Sequence, residues 1–429
     1  MNKIEPKILK GTRDFSPLQM AKRNLVMDKI RRIFERFGYD AIETPILNPA
    51  ETILGKYSEE GDRLTYNFDD AGGRRLALPF DLTVPFARFV AANYRDLPIP
   101  FKRYQIQRVW RAEKPQKGRL REFYQCDIDV IGTRSLIAET EIARVIVEVF
   151  KELGLKFKIK VNSRRLMNAV LEDLGVSQEK LIEVIRVIDK ILKIGEEAVI
   201  KELELLQVKD PRQILMLLKA EKNNPETLKK FEKYNLEEIK EFLKYCENFG
   251  VGSERLEFDP SLARGLDYYT GVIYEVISED SDFGTLCAGG RYDNLCGLFC
   301  DEDFSGVGVA FGFERIMLLL EELGALEDVK LSSRVLITIF DNQSTEDALG
   351  IYSSLVEAGI NSEIYFEPEK LGKQIKYADK KKIPFVLIRG EDERNLNEIT
   401  IKSMASGKQK TIPLNQLISY LSNYYESKE

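Results

Sequence analysis

The chain begins with a helical pattern of apolar residues. Within residues 16–38, apolar side chains recur every three or four positions, which places them on one face of a helix. Ser16 can cap this helix, Pro17 suits its first turn, and Gly38 can end it. The pattern therefore predicts a helix over residues 16–38.

Alternating segments further along predict a strand, a long loop and a second strand. RYQIQRVWR (103–111) and REFYQCDIDVIG (121–132) alternate between polar and apolar residues. The connection AEKPQKGR (112–119) is polar, basic and too long for a tight hairpin turn.

Polar side chains on the second of these strands share one face, because side chains alternate along a strand. The residues on this face are, in order, the aromatic Phe123 and the polar Gln125, Asp127 and Asp129. This face is either a solvated side of an antiparallel sheet or a floor that binds a small cationic or amine-bearing ligand.

The middle of the chain becomes charged and helical. A strand pattern at 157–161 precedes this change, and helical periodicity then continues over residues 164–250. Strand patterns return with VIYEVIS and GVGVAF, followed by the helical segment FERIMLLLEEL. We interpret 164–250 as a helical domain inserted between two parts, 1–163 and 251–325, of one sheet domain.

The end of the chain predicts a separate domain. GALEDVKLSS contains a linker, which we place at 326–332. The apolar runs VLITIF, NSEIYF and PFVLIRG follow, separated by helical stretches. Strands that alternate with helices predict a small, largely parallel α/β domain over 333–429.

Composition excludes several kinds of chemistry. The chain has 429 residues, a net charge of −6 and no histidine. Ser-His-Asp and Cys-His catalysis are therefore impossible, and so is a histidine general base near neutral pH. Any reaction must use arginine, lysine, carboxylate, tyrosine or backbone groups, or a metal held by oxygen.

Composition also favours a cytoplasmic protein. We find no run of about 18 apolar residues that would predict a membrane span, and no apolar signal core at the N-terminus. The five cysteines form no framework of a small secreted protein, which favours reduced thiols. Cys287, Cys296 and Cys300 lie close in sequence, but no histidine can complete a zinc site, so we expect no bound metal.

Two candidate motifs carry arginines. Arg111 at the end of the first strand, and Arg119 and Arg121 where the loop ends, could bind phosphates, because the guanidinium fork matches phosphate oxygens. In GVGVAFGFERI, small residues allow close approach of a flat ligand, and Arg315 opens the next helix. Close packing within the sheet is the alternative explanation for these glycines.

Two further motifs also have two interpretations each. AGGRYDNL (288–295) indicates a ligand contact through close backbone approach, or an ordinary tight turn. In LPFDLTVPFARF (78–89), Asp81 and Thr83 either contact a ligand or cap a helix.

Taken in order, the motifs resemble those of the histidyl-tRNA synthetases, a family of class II aminoacyl-tRNA synthetases. They are KGTRDFSP, TPIL, FDLTVPFAR, RVWRAEKPQKGRLREFYQCDIDVIG, LARGLDYYTG, AGGRYDNL and GVGVAFGFERI. The resemblance covers nearly the whole chain, and RGLDYYTG is specific to this family and its close paralogues. It implies an α+β catalytic domain built on an antiparallel sheet, with a helical insertion and a C-terminal α/β anticodon-binding-like domain.

The resemblance implies which residues bind L-histidine. The positions that hold the α-amino group in the family are matched by Asp81, Thr83 and Gln125. Asp129 matches the position that contacts the imidazole, and Arg264 matches one that reaches the carboxylate and the α-phosphate. The aromatic lining of the pocket is matched by Tyr268 and Tyr269.

The resemblance also implies an ATP site. Arg111 matches the position that contacts the α-phosphate, Glu113 lies near the adenine end, and Arg315 matches a γ-phosphate contact. Gln116 and Arg119 match a loop that lies against ATP and the acceptor end of the tRNA.

The implied reaction has two steps. The carboxylate of L-histidine attacks the α-phosphorus of ATP, and pyrophosphate leaves with Mg²⁺ neutralising its charge. The terminal ribose hydroxyl of tRNA(His) then attacks the histidyl-adenylate. Neither step needs an enzyme nucleophile, because positioning and charge stabilisation supply the rate.

Two implications concern larger partners. The C-terminal domain would read the anticodon, and its lysine-rich segment 369–382 either contacts tRNA phosphates or forms a solvated helix face. Residues 11–50 resemble the motif that builds a twofold dimer in the family, which implies a homodimer.

A rival interpretation is a histidine-binding paralogue that acts as a regulatory subunit of an ATP phosphoribosyltransferase. Such paralogues usually lack the C-terminal domain and the catalytic arginines, whereas this chain has both. The chain departs from the family at Pro79, where many relatives carry arginine, and at Leu120, where tyrosine is frequent.

Overall fold

The computed structural model describes residues 3–56, 59–219, 221, 223–264, 268–281, 283–302 and 304–426. Contacts divide the chain into two compact units. The first comprises the residues up to Asp14 together with Leu25–Ala325, and the second comprises Phe15–Asn24 together with the chain from Leu326 onward. The five predicted domain ranges, 1–163, 164–250, 251–325, 326–332 and 333–429, remain a proposal about how these units are subdivided.

The first unit contains the larger set of strands. They are β1 (Asp40–Ala41), β2 (Asn48–Pro49), β3 (Asn67–Asp69), β4 (Arg75–Ala77), β5 (Phe101–Trp110), β6 (Glu122–Ile131), β7 (Phe157–Ser163), β8 (Leu256–Phe258), β9 (Val272–Ser278), β10 (Thr285–Tyr292) and β11 (Gly306–Gly312).

The helices up to Ala325 include the predicted N-terminal one. They are α1 (Pro17–Arg36), α2 (Ala50–Ile53), α3 (Glu59–Arg63), α4 (Thr83–Asn93), α5 (Leu136–Glu152), α6 (Arg164–Asp173), α7 (Leu181–Ile188), α8 (Ile191–Ile194), α9 (Glu196–Leu205), α10 (Pro211–Leu218), α11 (Asn224–Lys230), α12 (Glu237–Asn248) and α13 (Phe313–Glu322).

Eight of the strands form one large sheet in the order β1-β5-β6-β11-β10-β9-β7-β8. Neighbouring strands run antiparallel except at the two edges, where β1 pairs with β5 and β8 pairs with β7 in parallel. The predicted antiparallel sheet is therefore confirmed, with a parallel pair added at each edge. A separate small sheet has the order β2-β4-β3.

One face of the large sheet is covered by helices. Phe311 of β11 packs against Phe34 of α1 and Phe150 of α5, and all three side chains are buried. Cys126, opposite Phe311 on the neighbouring strand, is also fully buried. Because side chains alternate, residues 125, 127 and 129 of β6 point to the other face of the sheet.

Helices α6–α12 follow one another between β7 and β8. Their apolar faces surround a core of their own, which includes Val184, Ile188, Leu203 and Ile239. Ala263, in the chain that returns toward the large sheet, is buried in the same core. The helical region therefore anchors the backbone immediately before Arg264.

The second unit contains a mixed sheet with helices. Its elements are β12 (Val335–Ile337), α14 (Asn342–Glu357), β13 (Ser362–Ile364), α15 (Leu371–Lys381), β14 (Phe385–Ile388), α16 (Glu391–Asn395), β15 (Glu398–Ser403), β16 (Gln409–Pro413) and α17 (Leu417–Glu426). The strand order is β13-β12-β14-β15-β16.

The expectation of a largely parallel sheet in this unit is wrong for its second half. β12 pairs in parallel with β13 and β14, but β14, β15 and β16 pair antiparallel. Only a short turn with Gly407 in the left-handed region joins β15 to β16, and a parallel pair would need a much longer crossover. Throughout the described ranges, no helix is long and apolar enough to cross a membrane.

Candidate active site

A pocket lies on the face of the large sheet opposite its helical cover. Eight of the residues singled out in the sequence line it. They are Asp81, Thr83, Arg111, Gln125, Asp129, Arg264, Tyr268 and Tyr269. The polar face predicted for β6 is therefore the floor of a pocket, and the interpretation as a solvated sheet face is wrong.

Asp81 lies just before helix α4 and also lines the pocket. Its Oδ1 accepts hydrogen bonds from the backbone N–H groups of Thr83 and Val84, each at 3.1 Å, at the start of α4. The same carboxyl group and Thr83 line the pocket. Both interpretations of this motif are thus compatible, because the capping contact uses one carboxylate oxygen.

Asp129 lies at the buried end of the pocket and is held by two partners. Its Oδ1 accepts a hydrogen bond from the Tyr292 hydroxyl at 2.6 Å. Its Oδ2 lies 2.6 Å from Nη2 of Arg103, and neither side chain of this ion pair is more than 3% exposed. Burial raises the pKa of the Asp129 carboxyl, and Arg103 and Tyr292 oppose that rise.

The glycine-rich strand explains how Asp129 fits. A Cβ atom at Gly308 of β11 would overlap Oδ1 of Asp129, because the two residues are paired across neighbouring strands. At Gly289 of β10, a Cβ would overlap the backbone of Gly308. These glycines therefore allow close packing inside the sheet and leave room for a polar side chain.

Gln125 and Asp127 complete the floor. Nε2 of Gln125 lies 3.4 Å from Oδ1 of Asp127, which is a long hydrogen bond. The Gln125 Oε1 atom is buried and has no hydrogen-bond partner within the described residues. Burial raises the pKa of Asp127 well above its ordinary value, and the neighbouring carboxylates of Asp129 and Asp81 raise it further against the opposing effect of Arg103.

Arg264 lies at the side of the pocket among groups of opposite or neutral charge. Burial lowers the pKa of its guanidinium, but Tyr269, Glu275 and Asp189 outweigh this effect and raise it. Asp189 belongs to the end of α7 in the helical region. Residues 265–267 of the motif RGLDYYTG lie outside the described residues, and Tyr268 and Tyr269 pack against each other beside the pocket.

Arg111 follows β5 and is fixed by two aromatic rings. Its guanidinium lies 4.3 Å from the ring centre of Phe80 and 5.3 Å from that of Phe123. Its Nε donates a hydrogen bond to the carbonyl oxygen of Phe80 at 3.0 Å. This hydrogen bond uses one of the five N–H donors of the guanidinium, and Arg111 lines the pocket.

Two further arginines, Arg119 in the loop after Arg111 and Arg315 in α13, lie near the pocket-lining Arg264, and we call this side of the pocket its entrance. Nη1 of Arg119 lies 3.5 Å from the carboxylate of Glu113, and Gln116 exchanges backbone hydrogen bonds with Arg119. Arg315 in the first turn of α13 donates from Nη1 to the carbonyl oxygen of Thr285 at 2.6 Å. Burial and the positive charge of Arg119 lower the pKa of Arg315, with a smaller contribution from Arg264.

This concentration of positive charge favours a polyanion. Arg119 and Arg264 both lie within electrostatic reach of Arg315 and disfavour its charged form until an anion is present. Arginine forks suit phosphate oxygens in particular. The site therefore combines an acidic pocket floor with a basic entrance.

The motif AGGRYDNL is not a turn, and Arg291 is not part of the pocket. The motif begins within β10, and Arg291 is 2% exposed. Its guanidinium forms a buried ion pair with Glu139 of α5 and donates to the carbonyl oxygen of Thr133 at 2.8 Å. Arg291 therefore joins the sheet to a helix, while Tyr292 beside it reaches Asp129.

Sequence reasoning missed three polar residues near the site. Arg103 and Tyr292 hold Asp129, and Glu275 lies near Arg264 and Arg315. Strand alternation could have placed Arg103 beside Asp129, since the two are directly paired in β5 and β6. Tyr292 comes from β10, two strands away, and no local pattern predicts that contact.

Metal ligands do not cluster in the parts of the chain that the structure describes. No group of three or more Cys, Asp or Glu side chains there could hold a metal ion. The five cysteines are free thiols, and burial raises the pKa of both Cys246 and Cys296 to about 12.

Comparisons with known proteins agree with the geometry. The family model described as histidyl-tRNA synthetase matches residues 11–316, and the model described as anticodon binding domain matches residues 334–424. A histidine–tRNA ligase from Phocaeicola vulgatus is 40% identical and covers 97% of this chain and 98% of its own length. One from Cytophaga hutchinsonii is 39% identical, with 97% and 99% covered.

A solved structure shows the same fold. The crystal structure of histidyl-tRNA synthetase from Nostoc sp. PCC 7120 matches with a TM-score of 0.84 and 30% identity, covering 98% of this chain and all of the other. Because one family model matches more than half of the chain and these relatives match it over nearly its whole length, the chain belongs to the histidyl-tRNA synthetase family.

Proposed function

We propose that the chain is a histidine–tRNA ligase, which activates L-histidine with ATP and transfers it to tRNA(His) for protein synthesis. The observation that carries this proposal is the pairing of an acidic pocket floor with an entrance where several arginines converge. An amino acid presents an ammonium group and a carboxylate, and ATP presents a triphosphate. The two ends of the site match these two substrates in charge.

The pocket floor would hold histidine. Asp81, Thr83 and Gln125 would bind the α-amino group, and the Oε1 of Gln125 is a buried acceptor that needs a donor. Asp129 would face the imidazole from the deep end of the pocket. Tyr268 and Tyr269 would form its aromatic side.

The arginines would stabilise charge during adenylate formation. Arg111 and Arg264 line the same pocket, so both could contact the α-phosphate and the attacking carboxylate. As negative charge shifts onto the phosphate oxygens in the transition state, fixed guanidinium groups stabilise it without proton transfer. The lack of histidine in the chain is therefore no obstacle to this reaction.

The entrance would bind the rest of ATP. Arg119 and Arg315 suit the terminal phosphates, Glu113 would lie near the adenine end, and Gln116 is a candidate contact for the tRNA acceptor end. ATP would enter as its Mg²⁺ complex, in which phosphate oxygens and waters supply most of the metal ligands. Glu275, near both Arg264 and Arg315, is the carboxylate that best fits a role beside that ion.

The remaining proposals concern the assembly. The second unit carries the anticodon-binding family match at 334–424, which supports a role in reading tRNA(His). Residues 11–50 resemble the dimer-forming motif of the family, so we infer a homodimer. Because a tRNA ligase supplies protein synthesis, we also propose that the protein works in the cytoplasm. The regulatory-paralogue interpretation is disfavoured because ligases match the chain at full length and Arg111, Arg264 and Arg315 are present.

The proposal is tested by charging. Purified protein is incubated with ATP, Mg²⁺, radiolabelled L-histidine and tRNA(His), and acid-precipitable label is counted. The proposal predicts label that depends on ATP and tRNA(His) and is absent with tRNA for another amino acid. A protein that binds histidine but never charges tRNA would instead act as a regulatory paralogue.

A further inference from the structure

The pocket floor contains a second buried carboxylate with no role in the site described so far. Asp127 is 2% exposed and lies on β6 between Gln125 and Asp129, with its side chain on the same face of the strand. It lines the pocket together with both neighbours. A buried carboxylate is costly unless a donor or a cation meets it.

Asp129 is already occupied by protein partners. One oxygen accepts from the Tyr292 hydroxyl and the other pairs with Arg103, both at 2.6 Å. Short contacts of this kind fix the position of the carboxylate and use its best acceptor directions. Asp129 thus keeps acceptor sites for a ligand, but its position and direction are set by these two protein partners.

Asp127 differs in this respect. Its carboxylate accepts a long hydrogen bond from Nε2 of Gln125, at 3.4 Å. The charged groups that influence it most are Arg103, Asp129, Asp81 and Arg111. Arg103 is already paired with Asp129, so Asp127 lies in a region where two further carboxylates oppose its ionisation.

We propose that Asp127 is a specificity-determining residue, whose carboxylate accepts an N–H of the substrate imidazole, while the Arg103–Asp129–Tyr292 group fixes the far end of the pocket. The inference rests on the proposed function. It adds Asp127 as a second carboxylate facing the imidazole, beside the Asp129 that the protein itself holds in place. A side chain without a matching N–H would leave Asp127 buried and unpaired, which is an effective way to reject similar amino acids.

The test combines Asp127→Asn with methylated substrates. ATP–pyrophosphate exchange is measured for L-histidine, 1-methyl-L-histidine and 3-methyl-L-histidine, the last two of which carry a methyl group that blocks one of the two imidazole nitrogens. For L-histidine, Asp127→Asn should lower kcat/KM about ten- to a hundredfold, the range expected for a hydrogen bond to a charged group. For the methyl isomer that blocks the N–H facing Asp127, the same substitution should cause little further loss.

Equal losses with all three substrates would overturn the inference, because Asp127 would then contact the α-ammonium group or act only in packing. No loss with L-histidine would overturn it as well. Failure of the proposed function would look different, because the unmodified protein would then show no histidine-dependent exchange at all.

Folding provides an independent readout. Since burial raises the pKa of Asp127, the folded protein without substrate holds this proton more tightly than the unfolded chain. That preference adds stability which is fully present below the unfolded pKa, about 3.9, and is lost as pH rises to the folded value. Asp127→Asn replaces the titrating carboxyl group, so the variant does not lose this stability as pH rises. At neutral pH it should therefore melt at the same or a higher temperature than the parent.

A variant that is at least as stable and yet binds histidine poorly cannot owe its defect to unfolding. Should the Asn variant nevertheless be unstable, Asp127→Ser, which is smaller and uncharged, is measured in its place. A Ser variant that keeps the parent's kcat/KM for L-histidine would contradict the inference.

Discussion

At the scale of single residues, two arginines with similar sequence contexts occupy different environments. Arg264 and Arg291 both lie in motifs that resemble the family, and both are near tyrosines in sequence. The structure places Arg264 beside the pocket and buries Arg291 in an ion pair with Glu139. Burial and partner, which no single sequence shows, distinguish the pocket-lining arginine from the one in a buried ion pair.

Arg264→Ala should lower the rate of adenylate formation about 10²- to 10³-fold, as expected for loss of one fixed donor to a charged transition state. The measurement is kcat in histidine-dependent ATP–pyrophosphate exchange. Arg108→Ala is the matched control, because Arg108 is an exposed arginine of β5 paired with Glu122. Equal activity of the two variants would remove Arg264 from the mechanism.

Arg291→Ala should act on stability. It leaves the carboxylate of Glu139 buried without its partner, which typically costs about 3–5 kcal/mol in the free energy of unfolding. Urea denaturation measures this loss, and folded protein at low temperature should keep its kcat for exchange.

The paired change Arg291→Met with Glu139→Leu should recover most of that stability, since no charge is then buried alone. A stable Arg291→Ala variant with no exchange activity would mean that Arg291 contacts substrate after all.

At the scale of elements, the loop between β5 and β6 depends on packing from the start of the chain. Gly11 has φ of +94°, and a Cβ there would lie 2.6 Å from Cγ of Pro115. Its carbonyl oxygen accepts a hydrogen bond from the N–H of Arg121 at 2.7 Å. The segment KGTRDF thus supports the loop that carries Glu113 and Arg119.

Gly11→Ala should therefore displace this loop and lower kcat/KM for ATP about ten- to a hundredfold, as small displacements of binding groups can. Gly73→Ala is the control. Gly73 has φ of +75°, and within the described chain no atom lies within 4 Å of a Cβ placed there. Both variants should lose similar stability, about 1–2 kcal/mol, but only Gly11→Ala should impair ATP use. Equal ATP kinetics in both would refute this support role.

Local patterns predicted elements well and contacts between them poorly. Alternation in REFYQCDIDV correctly put Gln125 and Asp129 on one face of β6, because a strand has a period of two. The glycines of AGGRYDNL permit a tight turn or a close backbone approach, and the turn is wrong, because they lie in β10 and allow close strand packing. Glycine permits both, and the choice depends on neighbouring strands that are distant in sequence.

At the scale of the whole molecule, the two units divide the proposed work. The pocket is built entirely within the first unit, and the second matches an anticodon binding domain. The motifs that carry the family resemblance end at Ile316, so for the chain from Leu326 onward the resemblance rests on the α/β pattern that follows them. The β15–β16 hairpin escaped prediction, since its short polar strands resemble a loop.

The lysine-rich helix α15 provides a test of the second unit. Lys373 and Lys381 pair with glutamates, whereas Lys376 and Lys380 are exposed and one helical turn apart. If this face contacts tRNA phosphates, Lys376→Glu with Lys380→Glu should raise KM for tRNA(His) about tenfold at low salt and less at high salt. Histidine-dependent pyrophosphate exchange should not change.

The corresponding glutamine substitutions serve as the control for charge reversal, and they should give a smaller effect in the same direction. An unchanged KM for tRNA in both double variants would identify the lysines as a solvated helix face.

The central claim is that arginines and carboxylates in this pocket activate histidine without any enzyme histidine. ATP–pyrophosphate exchange, measured with each of the common amino acids and with and without Mg²⁺, tests it most directly. The account predicts exchange with L-histidine alone, dependent on Mg²⁺. Exchange with a different amino acid, or histidine binding with no exchange, would contradict it.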